Sequence, residues 1–155
     1  MNDFLNIRIA KNEDALDLFL WRNNSHTISM SLNKNKILWK DHVVWFNKLL
    51  KENKSYLFLG ILKNKKIGMV RFDFYKQKKY FVNINLNPDF RRKKLSSILL
   101  KKSIEHLLSI KITVNHLYAQ IKSNNISSQK CFENNKFVLK GSNREIKEYM
   151  LSFKN

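Results

Sequence analysis

The chain has 155 residues, 43% of them hydrophobic, with a formal net charge of +18, one cysteine, three glycines and one proline. This length and apolar content suit a single domain (1–155) with its own core, and no apolar run is long enough to span a bilayer, so a membrane-spanning helix is excluded. The excess cations are mostly Lys, scattered from Lys34 to Lys147 among abundant Asn and Ile, so the charge reads as solvated faces that favour anionic ligands rather than as a nucleic-acid interface.

At the start of the chain, Met1-Asn2-Asp3-Phe4 lacks the basic-then-apolar pattern of a secretion signal. The lone Cys131 leaves no internal disulfide framework, which predicts a reducing, cytoplasmic setting. Leu5 to Ala10 alternates and predicts a strand. Asn12 caps a helix, with Glu13 and Asp14 in its first turn and Leu16, Phe19 and Leu20 on one face. Asn23 to Ser31 is a polar connection. Trp39 to Lys51 is a second helix that turns Val43, Phe46, Leu49 and Leu50 inward. Tyr56 to Leu62 is a strand, Lys63 to Lys66 a turn, and Ile67 to Phe74 the antiparallel partner. After a turn at Gln77 to Lys79, Tyr80 to Leu86 alternates again. A helix runs from Ser96, amphipathic over Ile98 to Leu108. Thr113 to Ala119 is a strand, Ser127 to Asn134 a short helix and Phe137 to Lys140 a strand. Gly141 to Asn143 turns the chain into a last strand, Ile146 to Phe153. The order β-α-α-β-β-β-α-β-α-β-β predicts a mixed α/β (α+β) sheet with helices on both faces.

Between the strand ending at Leu86 and the helix from Ser96 lies a basic loop, Phe90-Arg91-Arg92-Lys93-Lys94-Leu95-Ser96-Ser97. The first amides of a helix have no internal partner, and the helix dipole adds partial positive charge there. Four cations in a row, Arg91 to Lys94, strengthen that field. The combination predicts a phosphate-bearing cofactor bound at one helix end.

This arrangement resembles the GNAT family of acetyl-CoA N-acetyltransferases, whose loop pattern is Arg/Gln-x-x-Gly-x-Gly/Ala. The matching positions read Arg91-Arg92-Lys93-Lys94-Leu95-Ser96, with both glycines replaced. Asn125-Ile126-Ser127-Ser128 followed by Phe132-Glu133-Asn134-Asn135-Lys136-Phe137 resembles a later helix and strand of the family, with Lys136 where a glycine is usual. Trp21-Arg22-Asn23, Ser31, Ile37, His42-Val43-Val44-Trp45-Phe46 and Gly68-Met69-Val70-Arg71-Phe72-Asp73 are similar to the branch with nucleotide-sugar N-acetyltransferases of the pseudaminic-acid type. Protein N-terminal acetyltransferases of the ribosomal type share parts of the same pattern.

The resemblance implies the GNAT fold, with the central strand splayed from its parallel neighbour to admit a pantetheine arm. It implies acetyl-CoA as co-substrate, held by Arg91, Arg92, Lys93, Lys94, Leu95, Ser96 and Ser97. Asn85, Leu86 and Asn87 would offer backbone groups to the arm, beside Phe132. Asn125 would bond the arm near the thioester or, alternatively, cap a helix. The family's usual proton donor is a Tyr at the position of Phe132, which has no proton to give; Tyr118 or a water would take its place. His42 is either a base for the acceptor amine or a packing residue. Arg22 and Arg71 would bind anionic groups, with Arg71 alternatively solvent-facing. Asp73 would pair with a nearby cation or with the acceptor ammonium, Asn23 lies beside the same acceptor residues, and Trp21 and Trp45 would wall a ring or fill the core.

Cys131 reads as core, and His26, His42, His106 and His116 show no zinc spacing, so no metal is expected. The reading is an N-acetyltransferase acting on a small-molecule primary amine, a nucleotide-linked amino sugar, by direct attack in a ternary complex, as monomer or homodimer. The alternatives are a protein N-terminal or small-amine acetyltransferase and a binding module that kept the fold but lost activity.

Overall fold

Seven strands build one sheet: β1 (Asn6–Ile9), β2 (Tyr56–Leu62), β3 (Lys65–Lys76), β4 (Lys79–Leu86), β5 (His116–Lys122), β6 (Val138–Ser142) and β7 (Ile146–Ser152). The computed structural model describes residues 4–110 and 113–153, so Met1 to Asp3 of the chain start lie outside the described residues. The strands lie in the order β1-β2-β3-β4-β5-β7-β6. Every neighbouring pair is antiparallel except β4 and β5. Lys63 and Asn64, both with positive φ (49° and 64°), close the β2–β3 hairpin, the two-residue turn whose twist suits antiparallel strands.

Five helices cover the sheet: α1 (Ala15–Arg22), α2 (Ser25–Met30), α3 (Trp39–Glu52), α4 (Ser96–Ser109) and α5 (Ile126–Asn134). On one face, Leu99, Leu100, Ile104 and Leu107 of α4 and Phe132 of α5 pack against Phe58, Val70, Phe72 and Val82. On the other face, Leu18 and Trp21 of α1 and Phe46 of α3 pack against Leu57, Leu59 and Met69. Two glycines let α4 approach closely. A Cβ on Gly60 would lie 2.5 Å from Leu99 Cδ1, and one on Gly68 would lie 2.9 Å from Leu99 Cδ2.

The predicted mixed sheet with helices on both faces is the observed fold. Several details differ, one being that Gly141 and Ser142, expected in a turn, belong to β6 and pair with Glu148 and Lys147. Asn12 does not cap a long helix; it opens a 3₁₀ turn, and Asp14 Oδ2 instead accepts the Lys11 amide at 2.7 Å. The inward face of α1 is Leu18 and Trp21, whereas Leu16 and Leu20 are exposed, because Asp14 and the turn before α1 set its rotation. The polar connection after Asn23 contains α2, with Asn24 as its N-cap accepting the amides of His26 and Thr27. β5 begins at His116 and runs to Lys122, three residues later than the apolar pattern predicts, because it is registered by antiparallel pairing with β7.

Candidate active site

β4 and β5 pair only through Lys79–His116, Tyr80–Leu117 and Phe81–Tyr118. Beyond that point the strands part, as the splayed pair predicts. The Asn87 amide donates to the Ile67 carbonyl on β3 at 2.9 Å. Backbone groups alternate sides along a strand, so those of Leu86 and Ile84 turn toward the gap and those of Asn85 and Asn87 turn away. This corrects the expectation for Asn85 and Asn87 and adds Ile84, which strand alternation counted from Asn87 would have found. Asn87 is a turn residue: its Oδ1 accepts the Asp89 amide and its Nδ2 donates to the Lys66 carbonyl.

At the wide end of the gap sits the basic loop. None of the backbone amides from Arg92 to Ile98 donates to an acceptor among the described residues, leaving a run of free N–H groups across the start of α4. Arg92, Lys93 and Lys94 are exposed beside them. Lys94 and Lys136, which replace glycines of the family pattern, keep glycine-like backbone angles, φ 58° and 70°, and Arg92 has φ 61°. Lys94 therefore holds the loop in a left-handed shape, contrary to the ordinary backbone its side chain favours. Ser96 and Ser97 start α4 normally. The Ser97 carbonyl and hydroxyl accept bonds from Asn135 and Asn134, which fasten α5 to the loop. Lys93 Nζ lies 5.2 Å from the Phe90 ring centroid, and Leu95 is the N-cap of α4. Free amides, exposed cations and an open strand gap fit a phosphate-bearing cofactor with an extended arm. Arg91 departs from this set. Its guanidinium turns back to α2, Nη1 donating to Asn24 Oδ1 at 2.9 Å and Nη2 to Thr27 Oγ1.

The residues expected on the acceptor side divide. Trp21 is core at 5% exposure. Asn23 clamps the chain, exchanging two 2.8 Å bonds with the Ile37 backbone. His42 is 3% exposed among Phe19, Trp39, Trp45 and Phe46. Its Nε2 donates to the Ala15 carbonyl at 2.8 Å, and burial pushes its pKa down while that bond opposes the shift. The other residues form a partly exposed group on the α1–α3 face of the sheet. Arg71 Nε donates to both Asp73 oxygens at 2.8 and 3.0 Å, and Asn83 donates to Asp73 Oδ2 at 3.0 Å. The Arg71 guanidinium lies 5.2 Å from the Trp45 ring centroid. Arg22 Nη2 donates to the Asn33 carbonyl, while its Nη1 is buried without a partner. Burial, and then the nearby Arg71 charge, pull the Arg22 pKa down.

Phe132 is core at 2% exposure, edge-on to Phe137, so the usual proton donor is replaced by a ring that only packs. Tyr118 stands at the last β4–β5 pair, on the same face as Arg71, and neighbours Phe81 and Tyr75. Asn125 is the N-cap of α5; its Oδ1 accepts the Ser128 amide at 3.2 Å, and its Nδ2 makes no hydrogen bond among the described residues. No three His, Cys, Asp or Glu residues gather at metal-binding range among the described residues. No helix among them is long and apolar enough to cross a membrane.

The sequence profile of the acetyltransferase (GNAT) family matches residues 10–137. Among solved structures, the fold is similar to a spermidine N-acetyltransferase from Vibrio cholerae in complex with CoA and spermine, with 16% identity over 97% of this chain and 96% of that one and a TM-score of 0.87. It is also similar to an N-acetyltransferase from Staphylococcus aureus Mu50, with 20% identity over 97% and 99% of the two chains and a TM-score of 0.80. Campylobacter jejuni N-acetyltransferase PseH, solved with acetyl coenzyme A, shares 17% identity over 97% and 100% of the chains with a TM-score of 0.74. No curated protein sequence matches.

Proposed function

This chain belongs to the acetyltransferase (GNAT) family and is an acetyl-CoA-dependent N-acetyltransferase, and from that premise we propose that its acceptor is the primary amine of a small, anionic molecule, a nucleotide-linked amino sugar. One observation carries the choice of acceptor. Burial and then the nearby Arg71 charge pull the Arg22 pKa down, and one carboxylate, Asp73, is bonded to Arg71. Arg22 Nη1 and both Arg71 Nη atoms have no partner among the described residues. Two forked cations with unused donors suit a diphosphate. A polyamine, itself a polycation, would be repelled by this pair and by a net charge of +18. Trp45, whose ring lies beside the Arg71 guanidinium, would flank the bound molecule.

The free amides from Arg92 to Ile98, with Arg92, Lys93 and Lys94, would hold the phosphates of acetyl-CoA, and the backbone of Ile84 and Leu86 would lie along its arm. When bound, acetyl-CoA supplies the acetyl group as a thioester. An amide on β4 facing the gap is suited to stabilise charge on the carbonyl oxygen. Asn125 Nδ2 is free to orient the arm. The acceptor amine attacks directly with both substrates bound, so positioning supplies much of the rate. Tyr118, at the fork, would donate its phenol proton to the leaving sulfur, and the acylated amine would lose its own proton to solvent. His42 has its Nε2 engaged and little access to substrate, so we assign it to packing α3 against α1. The protein works in the cytoplasm, where its lone buried Cys131 stays reduced.

The test is release of free CoA with a panel of acceptors: nucleotide-linked amino sugars, spermidine and a peptide with a free N-terminus. The proposal expects turnover with the nucleotide-linked sugars. It also expects Arg71→Ala to raise the acceptor KM about tenfold or more, with the acetyl-CoA KM little changed. Preferential turnover of spermidine or peptide would reject the anionic acceptor. Micromolar acetyl-CoA binding without turnover of any acceptor would favour a binding module.

A further inference from the structure

Helix α2 buries none of its residues, yet polar bonds tie it to three parts of the fork. Thr27 Oγ1 donates to Asn85 Oδ1 on β4 at 3.4 Å. Arg91, from the basic loop, donates to Asn24 Oδ1 and Thr27 Oγ1. Lys122, the last residue of β5, donates from Nζ to the Ser29 carbonyl at 2.9 Å. The flanking limb is fastened too, by Asn23 to Ile37 and by Arg22 to the Asn33 carbonyl. The segment from Asn23 to Ile37 is therefore a strap, held at both ends, whose middle reaches from β4 to β5 where those strands have parted.

An element held by surface hydrogen bonds, without buried apolar side chains, opens at low free-energy cost. Each link to Arg91 then changes how often it is closed. The Arg91 guanidinium bonds only neutral oxygens here, and burial lowers its pKa. A phosphate group in the adjacent cradle would supply the missing counter-charge. That attraction would hold the guanidinium in place and, with it, α2.

We propose that Arg91 is a positioning residue that fastens α2 across the fork, so that occupancy of the phosphate cradle closes the strap beside the acceptor group. The proposal rests on the reading of the fork as the acetyl-CoA site. It differs from the role the family pattern suggests for Arg91, since the two Nη donors engage the strap. Thr27 is the second member of the link, accepting from Arg91 and donating to Asn85.

Hydrogen exchange of residues 24–34, with and without CoA, tests this in the wild type, Thr27→Val and Arg91→Lys. Thr27→Val keeps the shape and removes the hydroxyl. Arg91→Lys keeps the charge and removes the fork that reaches two acceptors. In the wild type, CoA is expected to slow exchange in this segment about fivefold or more. Both variants should exchange about fivefold faster than wild type without ligand and lose most of the CoA response, and, because the coupling is reciprocal, their CoA affinity should fall by about the same factor. The double variant should be looser than either single one by less than the sum of the two, since both break the Arg91–Thr27 bond while Thr27→Val also loses the bond to Asn85 and Arg91→Lys the bond to Asn24. Unchanged exchange in both ligand-free variants overturns the proposal. So does a loss of CoA affinity of about tenfold in Arg91→Ala with α2 exchange unaltered, which would make Arg91 a simple phosphate ligand. Failure of the wild type to bind CoA would reject the fork as the cofactor site and the coupling with it, while the ligand-free comparison would still report whether Arg91 fastens α2.

Discussion

Lys94 and Lys136 occupy left-handed backbone positions that glycine adopts without steric cost. Replacing either with glycine removes a Cβ from a conformation it opposes. Lys94→Gly and Lys136→Gly should each stabilise by about 1 kcal/mol, read as a rise in Tm of about 2–4 °C by calorimetry. Lys94→Gly should also make acetyl-CoA binding less sensitive to salt, because one cation leaves the cradle. His42 carries a second prediction. Burial lowers its folded pKa below the ordinary 6.5. The unfolded chain then binds the extra proton first, so this stabilising contribution is full above pH 6.5 and is lost as pH falls below it. Thermal melts from pH 8 down to about pH 5 should show that decline, and His42→Gln should flatten it. An equal slope in the variant would assign the decline to other groups.

At the scale of elements, α4 lies on the sheet because two glycines make room for Leu99. The two sites differ in what a methyl group would meet. At Gly60 the nearest atoms are side-chain tips: Leu99 Cδ1 at 2.5 Å, and Ile67 Cγ1 and Leu5 Cδ1 at 3.2 Å. At Gly68 the methyl would meet backbone, the Asn85 carbonyl oxygen at 2.9 Å and the Leu86 Cα at 3.1 Å. Both Gly→Ala variants should destabilise by about 1–3 kcal/mol in urea unfolding. Leu99→Ala should partly rescue Gly60→Ala and fail to rescue Gly68→Ala, because a shortened side chain yields and a paired strand does not. Strong rescue at Gly68 would show that β4 can shift under α4. Since β4 borders the fork, Gly68→Ala should also weaken acetyl-CoA binding, whereas Gly60→Ala should not.

Across the whole molecule, one buried carboxylate joins distant parts of the chain. Asp14 is fully buried, bonded to Arg8 on β1 and Lys66 on β3 at 2.8 Å each, and Lys66 reaches on to Asp17 of α1. Burial opposes the charge, but bonds from Arg8, Lys66 and the Lys11 amide outweigh it and hold the Asp14 pKa well below 3.8. The stabilisation is present above pH 3.8 and is lost as pH falls through that value toward the lower folded pKa. Asp14→Asn should cost about 3 kcal/mol at pH 7, leaving two cations short of a partner, and should remove most of the acid sensitivity below pH 4. Denaturant midpoints between pH 2 and pH 7 check both. A net charge of +18 also predicts that acetyl-CoA raises Tm more at low salt than at high salt.

Periodicity and turn chemistry in the sequence determined most elements. β2 runs from Tyr56 to Leu62 as the sequence predicts, and the basic loop leads into α4 at Ser96. Those signals are local, carried by neighbours a few residues apart. The rotation of α1, the later start of β5 and the fates of Asn23, His42, Asn87 and Arg91 are tertiary outcomes. Each of these polar residues has a plausible site role in isolation, and each finds its partner far along the chain, as Asn23 does at Ile37 and Arg91 at Thr27. The Arg22–Arg71 pair likewise exists only because the sheet brings β3 beside the end of α1. Sequence pattern supplied the donors and the charges; folding decided which ones were consumed by the structure and which stayed free for a ligand.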